Sequence, residues 1–414
     1  MTRPRIGIFL KSDDPNAGPG RYVRSLMKAM DREEFEVVRF ANSPRTGDEQ
    51  YGQTRVVALD ARPVAQGAGP RLAETGAAPP KSKRSTLARE LAPFALRYSM
   101  GFERETHRLA RVLGSCPVDL LHTSETGCEE SAVAARIAGV PAVLGTFHVL
   151  PSVDVDQQRQ HWIHRRLERK GARALDLSIA VSEAGRSAWM QRAHLSPSRV
   201  LKIHNGIDTE QFQRRRGSAE ARRELGVPAD GSVVIGTISR LVPVKGLDDL
   251  LRAAAQLRDQ GLNVRLVIAG DGPSLTDLRR RSEELGIGAY VHFVGQRADA
   301  AGALEAFDMF AHPSLSEALP YAVMEAMSME LPVVATDVGG VPEIVVPEQT
   351  GFLVPCREPG VLAAGLKALV ESSALRTRMG RAGRQRILKC FDERQMAERT
   401  IGLYRTMLRE SRAA

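Results

Sequence analysis

Two glutamates with seven residues between them, Glu317 and Glu325, stand in the string PSLSEALPYAVMEAMSMELPVVATDVGGVPEIVVPEQTGFLVP, from Pro313 to Pro355. On one continuous helix a step of eight residues turns about 80° beyond two full turns, so the two side chains would not share a face. Leu319-Pro320 interrupts the stretch between them. Proline suits the first helical position and disfavours helix in the residue before it. Glu317 is therefore expected in a loop and Glu325 inside the helix that follows. The free N–H groups of that first turn, around Tyr321 to Val323, would attract an anion or an oxygen-rich group. A carboxylate beside them accepts hydrogen bonds from sugar hydroxyls, and its two oxygens match a ribose diol. Taken alone, two glutamates at this spacing are ordinarily solvated charges.

A second group of residues follows strand ends. In GTISRLVPVKG, Gly236 to Gly246, Arg240 and Lys245 flank a loop containing Pro243. Arginine grips phosphate through two parallel donors and lysine adds a compact charge, which suits a departing diphosphate. Gly270-Asp271-Gly272-Pro273 and Phe293 to Arg297 end two further strands, where either turn could be plain loop punctuation. Near the start, Asn16-Ala17-Gly18-Pro19-Gly20-Arg21 follows the first strand and opens a helix without the G-x-G-x-x-G spacing of a dinucleotide fingerprint. His148 comes directly after the run Ala142 to Phe147, while His122 and Glu183 are weaker candidates in similar places.

Residues at strand ends need a sheet to carry them. Short β-branched runs alternate with helical patterns at Arg5 to Leu10, Glu36 to Phe40, Arg55 to Leu59, Leu120 to His122 and Ala142 to Phe147. A fresh series opens at Ser232, with further strands at Val291 to Val294, Met309 to His312 and Pro332 to Thr336. Such alternation predicts βαβ units and parallel sheets, whose ligands bind beyond the carboxyl ends of the strands. Two α/β series in tandem, joined around His204 to Phe212, predict two similar domains facing a cleft. The boundaries drawn are 1–205, 206–385 and a C-terminal helix 386–414 that packs back on the first domain. Ala61 to Ser85, rich in Gly, Ala and Pro, reads as a connection, and Leu87 to Leu113 as a helix docked by its apolar face or lying on an acidic membrane.

Composition narrows the classes further. The 414 residues are 43% hydrophobic and 26% charged, which fits a globular chain of two or three domains and excludes global disorder. Met1 to Lys11 is too short and too early-charged for a secretory signal, and the longest nearly uncharged stretch, Gly139 to Val153, falls short of a membrane span. Cys116, Cys128, Cys356 and Cys390 form neither zinc pairs nor a disulfide framework, so a cytoplasmic location is expected. Residues 1–207 hold 31 Lys+Arg against 22 Asp+Glu, whereas 208–414 hold 27 of each, so the net charge of +9 belongs to the first half. That asymmetry suits peripheral contact with an anionic membrane or acceptor, or simply an arginine-rich soluble surface. No helix-turn-helix or zinc-finger pattern points to nucleic acid.

The string from Pro313 to Pro355 resembles the donor-site region of retaining glycosyltransferases of family 4, also called glycosyl transferases group 1, which have the two-domain GT-B fold. The likeness covers nearly the whole chain, and is strongest from Val233 to Pro355 and weakest from Arg45 to Glu105. It implies an α/β protein of two Rossmann-like domains. It implies that Glu317 contacts the transferred sugar and Glu325 the nucleotide ribose, with Leu319, Pro320, Tyr321 and Ala322 between them at the donor. Arg240 and Lys245 would bind the diphosphate, Gly272 and Arg297 would neighbour the nucleoside, and Gly18 and Gly20 would bring backbone close to the phosphate. His148 would touch the donor sugar or align the acceptor, and Asn205-Gly206-Ile207-Asp208 would form the interdomain turn. Ala318 departs from the glycine common at that position, without removing a polar group.

The function so implied is transfer of a sugar, with retention, from a UDP- or GDP-linked donor to a hydroxyl of a glycolipid, polysaccharide precursor or small molecule. The nucleotide sugar is a substrate, so no cofactor is expected, and no metal, since no ligand cluster shows metal spacing. Two alternatives remain open in the sequence: a sugar-nucleotide epimerase or phosphorylase of the same architecture, and a non-catalytic partner subunit that binds donor without turnover.

Overall fold

The computed structural model describes residues 3–10, 18–41, 54–58, 84–124, 129–151 and 162–413, with backbone alone for 58 and 84–98. Two parallel sheets organise them. The first contains β1 (Arg5–Leu10), β2 (Glu36–Ala41), β3 (Arg55–Ala58), β4 (Leu120–Thr123), β5 (Ala142–Phe147), β6 (Leu177–Ala180) and β7 (Val200–Lys202), in the order β3-β2-β1-β4-β5-β6-β7. The second contains β8 (Val233–Ile238), β9 (Val264–Ala269), β10 (Val291–Gly295), β11 (Met309–His312), β12 (Val333–Thr336) and β13 (Gly351–Val354), in the order β10-β9-β8-β11-β12-β13. Helices cover both faces, which is why β5 and β12 are buried along their whole length. In each sheet the strand order reverses beside the first strand, between β1 and β4 and between β8 and β11. Such a switch point leaves a crevice at the carboxyl ends.

Three strands escape the sequence pattern: β6, β7 and β13 are three or four residues long and carry too few β-branched residues to stand out. The connection from Ala61 to Ser85 lies, up to residue 83, outside the described residues. Beyond it the helix Arg84–Ser115 buries Phe102, Leu109 and Leu113, so its described second half docks by its apolar face. Arg104 and Arg111 remain exposed, while Arg108 pairs with Glu105 at 2.8 Å.

The chain crosses between domains twice. Ile207 pairs with Asp392 as an isolated bridge, and a Cβ on Gly206 would lie 2.5 Å from the Glu393 Cα, so only glycine lets the two crossovers run side by side. After the second crossing, the helix Glu393–Ala413 lies on the first domain. Its Met396, Ile401, Tyr404 and Met407 enter one cluster with Tyr22, Leu26 and Ile8, each such side chain contributing roughly 1.5–3 kcal/mol by burial. Tyr22 and Thr400 share a hydrogen bond of 2.9 Å.

The domains also touch directly. Leu150 and Val181 of the first domain pack into the core that holds Ala318, Leu319, Val341 and Ile344 of the second. Glu343 reaches the N-terminus of the helix Glu183–Ala193, where its carboxylate accepts the N–H groups of Glu183 (2.7 Å) and Ala184 (3.3 Å) and a bond from His204 (2.8 Å). Burial would raise that carboxyl, but the His204 bond and the two backbone donors outweigh it and hold it below the usual carboxylate range.

Candidate active site

Lys245 and Glu317 meet at the switch point of the second sheet. β8 ends at Ile238 and leads through Arg240 into a short 3-10 turn, Pro243–Lys245. β11 ends at His312 and leads into the loop carrying Glu317. The two loops are locked together: Leu315 donates its N–H to the Val244 carbonyl at 2.7 Å, and the Ser314 hydroxyl donates to the same oxygen at 3.1 Å. Gly246 makes this approach possible, because its φ is +63° and a Cβ there would lie 2.0 Å from the Pro313 carbonyl oxygen.

Lys245 Nζ then stands 2.5 Å and His312 Nε2 2.9 Å from Glu317 Oε1. Burial alone would raise the Glu317 carboxyl, yet the His312 bond and the charges of His312 and Lys245 outweigh it and hold it down at about 2. It is therefore an anion at any ordinary pH and an acceptor of hydrogen bonds, not a general acid. The same loop is tied down on both sides. Gly340 donates to the Glu317 carbonyl at 3.2 Å, and the buried Asn205 side chain, from the interdomain turn, donates to the Leu319 carbonyl at 3.3 Å.

The helix after the loop is Tyr321–Ser328. Pro320 caps it, one residue ahead of the first helical position expected for it, and adopts an extended conformation with ψ of 123°. The N–H groups of Tyr321, Ala322 and Val323 occupy the first turn, where an α-helix leaves its donors unused. Glu325 lies one turn further, its side chain 2% exposed and ion-paired with Arg21 of the first domain.

The remaining candidates distribute unequally. Arg240 is exposed and has no ion pair among the described residues. Gly272 packs against the backbone of Leu241, one residue past Arg240, and Leu241 donates to the Asp271 carbonyl at 2.9 Å, so the turn from Gly270 to Pro273 sets the course of the Arg240 loop. Arg297 is exposed beyond β10, and the Gly295 carbonyl accepts from Gly270 at 2.8 Å, which joins the two turns. Gly18 and Gly20 fall in the first turn of the helix Gly18–Ala29, and Gly18 faces the Tyr321 ring across the cleft. The side chains of Leu319 and Ala318 belong to the core, so that stretch offers the cleft backbone and not side chains.

His148 follows β5 as expected and hydrogen-bonds Ser124 through Nε2 at 2.8 Å. It lies edge-on to Tyr22, and burial lowers its pKa to about 3, which keeps the ring neutral; its buried Nδ1 has no hydrogen-bond partner. His122 is a core residue. It is fully buried between Thr146 (2.7 Å) and Tyr404 (2.6 Å), under the returning C-terminal helix. Glu183 opens its helix and pairs with Arg186 at 2.9 Å, away from Glu317 and Glu325 in its contacts. His312, Arg21 and Glu343 were not singled out by sequence. His312 stands five residues before Glu317 at a strand end, the position that marked His148, and that signal was available.

Two parallel-sheet α/β domains in tandem are the architecture of the GT-B fold. Residues 218–386 match the family model described as Glycosyl transferases group 1, and residues 17–211 that of Glycosyltransferase Family 4. The two matches are consecutive and together span most of the chain, so each domain is similar to a glycosyltransferase domain.

A D-inositol 3-phosphate glycosyltransferase of Corynebacterium glutamicum (strain R) is 34% identical over 201 residues, 46% of this chain and 48% of that protein. The match thus spans about half the length of that relative. The UDP-Gal:alpha-D-GlcNAc-diphosphoundecaprenol alpha-1,3-galactosyltransferase of Escherichia coli is 26% identical over 305 residues, 72% of this chain and 78% of its own. Among solved structures, Anabaena Alr3699/HepE in complex with UDP-glucose shares the fold with a TM-score of 0.75 at 22% identity, over 97% of this chain and 99% of its own. Sucrose-phosphate synthase from Thermosynechococcus elongatus does so at 0.74 and 23%, over 99% and 100%.

Proposed function

We propose that the protein transfers a sugar, with retention of configuration, from a nucleoside-diphosphate sugar held mainly by the second domain to a hydroxyl acceptor held mainly by the first. One observation carries this reading: Lys245 and Glu317 are brought together at the switch point of the second sheet, one residue type suited to a leaving diphosphate and the other to sugar hydroxyls. The relatives' names, which include UDP-Gal among donors, and the neighbour bound to UDP-glucose support a UDP-linked donor, with GDP as the other choice. Glu325 would take the ribose diol, and the N–H groups of Tyr321 to Val323 would face the diphosphate.

Retention fits a site in which, among the described residues, the carboxylate placed beside the sugar is not free to act as a base. Glu317 is committed to Lys245 and His312, so the departing phosphate itself would take the acceptor proton on the face it leaves. Arg240, Lys245 and a helix N-terminus would stabilise that phosphate without a divalent cation. Among the described residues no helix is long and apolar enough to cross a membrane. An acceptor with a phosphate or lipid headgroup would suit the basic first domain, whose helix Trp162–Ala174 exposes Arg165, Arg166, Lys170 and Arg173.

A thermal-shift screen of nucleoside-diphosphate sugars tests the donor, since a ligand that binds only the folded state raises its stability. Once a donor and acceptor are in hand, turnover is expected to survive a chelator unchanged. Activity that vanishes with EDTA and returns with magnesium would refute the metal-free site.

A further inference from the structure

Each of the two carboxylates assigned to the donor already holds a cation. Glu317 has Lys245 from its own domain, and Glu325 has Arg21 from the other. Arg21 projects across the cleft from the helix Gly18–Ala29, with its guanidinium carbon 5.6 Å from the centroid of the Tyr321 ring. The Tyr321 hydroxyl is buried there without a hydrogen-bond partner, and burial raises its pKa, so it stays protonated and able to donate. A small crevice of about 100 Å³ opens at this place, lined by Arg21, Ser25, Lys28, Asp208, Tyr321 and Glu325 among others.

We propose that Arg21 is a donor-binding residue supplied by the first domain: it neutralises Glu325 while the site is empty and passes to the diphosphate when the ribose takes Glu325. This rests on the donor site described above. A buried carboxylate without a partner is strongly unfavourable, which explains the pair in the empty protein. A ribose diol brings two donors for the carboxylate oxygens but no charge. The diphosphate brings negative oxygens spaced for the parallel donors of a guanidinium. Binding therefore exchanges partners: hydroxyls replace the cation on the carboxylate, and phosphate replaces the carboxylate on the cation. Because Arg21 and Glu325 belong to different domains, this exchange makes the grip on the diphosphate depend on both. The nucleoside part competes with Arg21, whereas the diphosphate recruits it.

The test compares dissociation constants of UDP with uridine, and of GDP with guanosine, for the wild type, Arg21→Ala and Arg21→Lys. In Arg21→Ala the preference for the diphosphate over its own nucleoside is expected to shrink about tenfold or more, the scale of one charged hydrogen bond. The nucleoside itself should bind no more weakly than to the wild type. Arg21→Lys should keep part of the preference, and it also serves if the alanine variant folds poorly. An unchanged preference overturns the proposal. So does an equal loss of nucleoside and diphosphate binding, which would make Arg21 a structural tie. A wild type that binds neither UDP nor GDP would instead sink the nucleotide-sugar reading beneath it.

Discussion

Arg240→Ala is expected to leave the fold intact and to slow sugar transfer by about 10²-fold or more. Its guanidinium is exposed and has no ion pair among the described residues, so removing it breaks no contact that stabilises the domain. A surface substitution of that kind changes stability by roughly 0.5 kcal/mol at most. The Arg240 backbone is nonetheless pinned: Leu241 bonds Asp271, and Val242 donates to the Arg240 carbonyl at 3.0 Å. A cation so placed at the end of β8, with no ion pair among the described residues, fits a group used only when charge develops on a leaving phosphate. Comparison of melting temperature and initial rate separates the two effects. A variant as active as the wild type would remove Arg240 from the site.

Glu317→Gln is expected to cost at least as much in rate and also to change how stability depends on pH. The amide keeps the shape but loses the charge that holds Lys245 and His312, and it can no longer accept with the same strength from a sugar hydroxyl. The carboxyl is depressed to about 2 in the folded protein from an ordinary value of 4.5. A depressed acid contributes stability that is complete above its unfolded pKa and is lost as pH falls through the folded one. The stability gap between wild type and Glu317→Gln in urea should thus be constant from neutral pH to about 5 and close progressively below that. A gap that ignores acid would mean that the Glu317 charge is not held as described. By the same depression, Glu317 should leave no titration in the activity profile between pH 5 and 9.

Much of this site is legible in local sequence because the chemistry that builds it is local. Leu319-Pro320 separates the two glutamates into loop and helix, and the structure divides them at that point. Gly246 sits where one loop must pass a carbonyl, and the runs that form β1, β5, β8 and β12 announce themselves by β-branched residues that only a covered sheet would bury. What is not legible depends on parts of the chain far apart in sequence. His122 lies within β4 and His148 just after β5, and it is the helix Glu393–Ala413, far away in sequence, that returns over His122 and seals it under Tyr404. Arg21 reads as one basic residue among many until the domains are assembled and it meets Glu325. Glu343 sits within the most informative stretch of the chain, but its role is to cap a helix of the other domain, which no spacing within its own segment encodes. The short strands β7 and β13 belong to the same group, since their pairing with longer neighbours defines them.

The most direct measurement is a crystal structure with UDP or GDP bound. The β-phosphate is expected within hydrogen-bond reach of Lys245, Arg240 and the N–H groups of Tyr321 to Val323, with the ribose diol on Glu325. A nucleotide found elsewhere, with Lys245 still seated on Glu317 and nothing between the switch point and the helix, would contradict that placement of the donor.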